Sequence, residues 1–122
     1  AYGTNLWLGE ERVKFHWDTS IKEILFDLLK GKAVVQSGYW NNLHHITCIV
    51  GFSTKQEDIT NIENSDQIIV SAVQSIIMDD PFGDYHSGYT SSSGNDITVS
   101  FSDYLSLTKP QGRWNKWAHR FI

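Results

Sequence analysis

The sequence predicts an α+β domain, a mainly antiparallel sheet with two helices on one face in a split β-α-β-like α/β sandwich. Three observations predict it. Val13, Phe15 and Trp17 alternate with Arg12, Lys14 and His16, the period-two pattern of a half-buried strand. Ile21, Ile24, Leu25, Leu28 and Leu29 then fall at helical spacing and form one apolar stripe. Further on, Ile97, Val99, Phe101, Leu105 and Leu107 alternate with Thr98, Ser100, Ser102, Tyr104 and Ser106, which returns to strand period. Strands and helices interspersed in this way pack most economically with the helices on one side of an antiparallel sheet.

Residues 2–8 and 12–17 read as strands around Gly9-Glu10-Glu11. Ser20 and Glu23 form a capping box, each side chain satisfying a free backbone amide of the first turn, and Gly31 is placed to end that helix. Ala33–Trp40 and His44–Phe52 read as a pair of strands joined at Asn41-Asn42, residues that tolerate turn geometry. Thr54 and Glu57 form a second capping box, followed by a stripe of Ile59, Ile62, Ile69, Val73, Ile76 and Ile77. Asn64-Ser65-Asp66 interrupts it, so a helix is expected over about 66–78, with strand as the alternative because the run is β-branched. Residues 79–96 form a long polar segment, 97–107 a strand, and Lys109-Pro110-Gln111-Gly112 a turn. Trp114, Trp117, Ala118, Phe121 and Ile122 match a helix, but their aromatic richness suits a strand, and strand is preferred as a partner for 97–107.

A length of 122 residues fits one domain, 1–122, and is too short for two independent cores. With 40% hydrophobic and 20% charged residues the chain has a globular balance rather than a disordered one. Aromatic residues reach 13%, serving either an aromatic-packed core or a recognition face; Tyr89, Tyr104, Trp114 and Trp117 are the candidate binding residues. The longest apolar runs are far short of the ~20 residues a membrane-spanning helix needs. A start at Ala1 without Met fits either a product whose leader has been removed or a trimmed domain, and an extracellular location is the expectation on the first of these. The one cysteine, Cys48, excludes an internal disulfide framework and reads as a small buried hydrophobe or, if exposed, an interchain disulfide.

Charge is unevenly spread. Residues 1–53 carry five acids against five bases, residues 54–104 nine acids against Lys55, giving −8, and residues 105–122 four bases and no acid. The acidic middle and the basic segment, Lys109, Arg113, Lys116 and Arg120, are able to attract one another within the fold or between chains, so a homo-oligomer or another protein chain is the expected partner. Four bases beside so acidic a body speak against nucleic acid, which selects a basic stripe.

Five histidines carry the only candidate acid–base chemistry. His44 or His45 with His119, and Arg120 or Lys116 for phosphate charge, would make a ribonucleolytic set. Asp79, Asp80 and Asp84 gather carboxylates in a flexible loop of the kind calcium prefers, without EF-hand spacing. No HExxH, Walker, GxGxxG or nucleophile-elbow pattern occurs, so no cofactor is expected. The serine-rich run Tyr89–Asp96 feeding the alternating residues 97–107 is similar to the membrane-inserting hairpins of β-pore-forming toxins, which have one lipid-facing side.

With a processed-looking start and this order of elements, the chain resembles subunits of secreted fungal killer toxins, some of them small α/β sandwiches. The resemblance covers element order alone and carries over no functional residue. It implies a non-enzymatic secreted interaction protein acting through a partner chain, a target-cell surface or a membrane. The alternatives are a small histidine-dependent hydrolase, namely a nuclease, and a ligand-binding regulatory module.

Overall fold

The computed structural model describes residues 13–40, 43–108 and 116–121; the strand expected over 2–8, the Asn41-Asn42 turn and Trp114 lie outside them. In chain order the elements are β1 (Val13–Thr19), α1 (Ile21–Leu29), β2 (Val34–Trp40), β3 (Leu43–Thr54), β4 (Val73–Asp79), β5 (Ile97–Ser100), α2 (Phe101–Leu107) and β6 (Lys116–Phe121). The strands form one antiparallel sheet in the order β1-β6-β2-β3-β4-β5. Because β6 runs antiparallel to both neighbours, β1 and β2 are parallel to each other. The unit β1-α1-β2 is therefore a split β-α-β, with β6 in the gap.

Both helices lie on one face, the arrangement expected, although α2 is not the second helix that the sequence suggested. Gln36 of β2 sits opposite Ala118 of β6, so Arg120, two residues on, shares that face. Arg120 reaches α1, where its Nη1 donates to Glu23, its Nε to Asp27 Oδ2 at 2.6 Å and its Nη2 to Asp27 Oδ1 at 3.1 Å. On the same face Tyr104 of α2 donates its hydroxyl to Gln36 Oε1 at 2.6 Å. The link through α1 starts on a strand running one way and moves across the sheet in one direction; the link through α2 reverses both. A half-turn about the sheet normal relates them, so equal handedness puts both on the same side.

The core is built between that face and the helices. Val34, Trp40, Ile49, Ile76, Met78 and Val99 from the strands meet Ile24 and Leu25 of α1 and Phe101 and Tyr104 of α2, all buried. α1 forms as its sequence dictates: the Ser20 hydroxyl accepts from Glu23 N at 3.2 Å, and the chain leaves the helix through Gly31 at φ +77°.

Three segments depart from expectation. The helix expected over 66–78 is a series of short 3-10 turns, including Ser65–Gln67 and Val70–Ala72, that ends in β4. The buried Gln56 side chain explains part of this, donating to Gln67 O at 2.9 Å and accepting from Ile69 N at 2.8 Å, bonds that tie up backbone a helix would use. The β-branched residues beyond then pair between β3 and β5. Thr54 and Glu57 cap no α-helix; Thr54 ends β3, accepting from Gln56 N and donating to Ala72 O. The strand expected over 97–107 ends at Ser100, whose hydroxyl accepts from Asp103 N at 3.2 Å and starts α2. Its intended partner segment is a strand, but β6 pairs with β1 and β2 instead.

One buried polar pair carries a stability prediction. Gln36 and Thr47 face each other across β2 and β3, each about 1% exposed, and Thr47 Oγ1 has no hydrogen-bond partner among the described residues. Thr47→Val keeps the shape and removes the stranded hydroxyl, so it is expected to raise the unfolding free energy by about 1 kcal/mol. Urea titration of the two proteins checks the sign, and a lower midpoint in the variant contradicts the argument.

Candidate functional site

Two features meet at the end of β4, where alternation along the strand sends Asp79 to the face opposite α1 and α2, helix-free among the described residues, and Asp80 to the helix face. Asp80 is wholly buried. Its carboxylate accepts from His45 Nε2 at 2.9 and 3.0 Å, from the Tyr89 hydroxyl at 2.6 Å and from Phe82 N at 2.9 Å. The rings of Phe82 and Tyr89 meet the imidazole edge to face, with centroids 4.5 and 5.6 Å away. Burial, then the hydrogen bond to Asp80, pushes the Tyr89 phenol far above its ordinary range, so it stays a proton donor. The latch fastens the 80–96 loop to β3. With the imidazole and carboxylate both closed off from solvent, it holds structure rather than exposing a base to substrate.

The loop returns to the sheet by backbone. Asp80 N donates to Gly94 O at 2.8 Å, and a Cβ on Gly94 would collide with the Asp80 carbonyl, so glycine is needed for this approach. Asp96 N donates to Asp79 Oδ1 at 2.8 Å.

On the helix-free face this leaves a groove of about 600 Å³ between the sheet and the returning loop. Val35, Ile46, Cys48 and Pro81 supply its apolar surface, and Asp79, Ser92 and Asn95 its polar one. Ile46 is 53% exposed and Val50, further along the same face of β3, 39%. Cys48 sits opposite Asp79 in the strand register. Burial and, secondarily, the Asp79 charge push its thiol up, so little thiolate forms near neutral pH. Iodoacetamide is therefore expected to modify Cys48 more slowly than a free thiol at pH 8, and Asp79→Asn to speed the reaction by removing the repelling charge. A pH–rate profile of the two proteins checks this, and identical profiles would remove Asp79 as a cause.

The structure separates most of the residues singled out in the sequence. His45 lies opposite Gly38 and His119 opposite Val35, positions of unlike parity on β2, so the two belong to opposite faces of the sheet. His44 shares a face with His119 by register, but four residues further along β2 and two strands across, roughly 16 Å away. The side chains of His44, Lys116, Trp117 and His119 lie outside the described set. Arg120 is bound by two carboxylates, and Tyr104 is a core residue. Tyr89 serves the latch. Asp84 Oδ1 accepts from His86 N and caps a short turn, and among the described residues no three His, Cys, Asp or Glu come together as a metal site.

Of the groove residues only Asp79 and Asp80 were singled out, as carboxylates for calcium, although the signal of the apolar floor is in the sequence. Ile46-Thr47-Cys48-Ile49-Val50 is apolar on both parities, whereas a strand with one solvated face alternates. Compared with protein-family models, curated proteins and solved structures, the chain matches none of them.

Proposed function

We propose that this chain is a binding protein without chemistry of its own, which engages a partner protein through the helix-free face of its sheet. The observation that supports this most is the exposure of Ile46 and Val50 there, beside the groove and the half-buried Val35, Cys48 and Ile77. Fully burying an aliphatic side chain is worth about 1.5–3 kcal/mol, of which these partly exposed residues forgo roughly half, and contiguous apolar exposure of this kind marks interaction surfaces. A protein suits the face better than a bilayer. Asp79 stands in the groove, residues 54–104 carry −8, and anionic headgroups would repel both. The segment expected to resemble a membrane hairpin turns into α2, with Phe101 and Tyr104 in the core, and no helix of the described residues is long and apolar enough to cross a membrane.

In a secreted, toxin-like setting the partner is a companion subunit or a protein at a target-cell surface. The test compares immobilised wild type with the double variant Ile46→Lys, Val50→Lys, using extract and culture medium of the producing organism. A protein retained by the wild type and lost by the variant, at unchanged melting temperature, supports the reading. Equal retention by both defeats it. Sedimentation of the two proteins alone shows whether the partner is a second copy.

A further inference from the structure

Resting on that reading, we propose that the groove is a socket for a basic partner segment, taking an apolar side chain on its floor and the adjacent Arg or Lys at Asp79. The lining decides the chemistry. It includes Asp79 and Asp80 and no base among the described residues, but only Asp79 turns its carboxylate into the groove. Asp80 is already saturated by His45, Tyr89 and Phe82 on the other side of the sheet. Asp79 is not: Oδ1 accepts from Asp96 N, and Oδ2 has no partner among the described residues. A half-buried carboxylate with a free oxygen, set beside Cys48 and Ile46, favours a cation whose neighbour is apolar.

Other occupants fit less well. An anionic ligand would face Asp79 without a compensating base. A metal ion would find one available carboxylate and a thiol held protonated, which is too few ligands. The −8 of residues 54–104 also steers basic segments towards this part of the molecule. A groove of about 600 Å³ falls within the usual range for sites that enclose a small ligand, and has room for a short stretch of side chains.

The probes are two capped tetrapeptides, acetyl-Gly-Leu-Arg-Gly-amide and the same peptide with citrulline, which keeps the shape of arginine without its charge. Each is titrated into isotopically labelled wild type, Asp79→Asn, and the Ile46→Lys, Val50→Lys variant, following backbone amide shifts. The arginine peptide is expected to move the amides of Val35, Ile46, Cys48 and Asn95, with citrulline at least about tenfold weaker. Asp79→Asn should erase that preference while leaving the rest of the spectrum in place. Equal binding of both peptides in the groove overturns the basic socket and leaves the apolar-face reading standing. No binding of either peptide, shifts confined to another surface, or a preference that survives Asp79→Asn also overturns it. If, besides, the double lysine variant retains partners as the wild type does, the face itself is not the interaction surface.

Discussion

Replacing Asp80 with alanine is expected to remove about 3–5 kcal/mol of stability, a large part of the ~5–15 kcal/mol margin usual for a folded domain. The carboxylate is fully buried and accepts from three donors: His45 Nε2, the Tyr89 hydroxyl and Phe82 N. Without it the buried imidazole N–H of His45 and the part-buried phenol O–H of Tyr89 lose their acceptor together, at about 1–3 kcal/mol for each group left stranded. Tyr89→Phe removes one donor and leaves the other two, so its cost should be a fraction of this. Urea unfolding measures both. A lower midpoint at constant slope, with faster amide exchange over 81–96, is the expected result for Asp80→Ala. A loss below about 1 kcal/mol would show that the latch stabilises little.

Arg120→Ala should be of similar size, by a different route. The guanidinium grips both oxygens of Asp27, whose side chain is only 10% exposed. Cutting back the arginine leaves a buried charge with no partner, which costs about 3–5 kcal/mol. Glu23 is 43% exposed at its side chain, and water replaces its contact cheaply. Asp27→Asn alone, and the pair Asp27→Asn with Arg120→Ala, complete a cycle. The double variant is expected to be less damaged than the sum of the singles, since the isolated charge is then gone. Additivity within error would mean that the two residues act independently. Arg120→Lys should recover only part of the loss, because an ammonium cannot match the planar two-point contact.

The legible parts of the fold were those where a local rule and the tertiary context agree. α1 carries its cap, its stripe and its terminating glycine within twelve residues, 20–31, and the structure follows. The α+β class and the β-α-β unit around α1 were readable from the sequence, but the second helix was expected over 66–78 and the structure places it at Phe101–Leu107. Residues 66–78 were not legible, because a stripe at helical spacing is also a set of β-branched residues that a sheet accepts, and the deciding partner is Gln56, more than ten positions upstream. At 97–107 the alternation ran through Ser102 and Ser106, while the pair Ser100 and Asp103, a helix-start signal, lay within the same stretch. The latch left no trace at all, since His45 and Asp80 are 35 residues apart and no spacing rule joins them. Asp79 and Asp80 were noticed together as carboxylates, but strand alternation gives them different faces and different work.

The position of β6 has a consequence for how the chain reaches this structure. It is the last described strand in sequence, yet it sits between β1 and β2, pairing Val13 with Phe121 across nearly the whole chain. Until it arrives, β1 and α1 are held to the rest only through α1, and β2 carries an unpaired row of amides and carbonyls along the side β6 will occupy. Closing a loop of that length before any pairing is gained makes folding slow relative to a chain of local contacts. During that interval the open side of β2 is a template for another chain's strand. Dilution and fast delivery of the complete chain should therefore govern refolding yield, and a version lacking residues 116–121 should aggregate rather than rest as a smaller sheet.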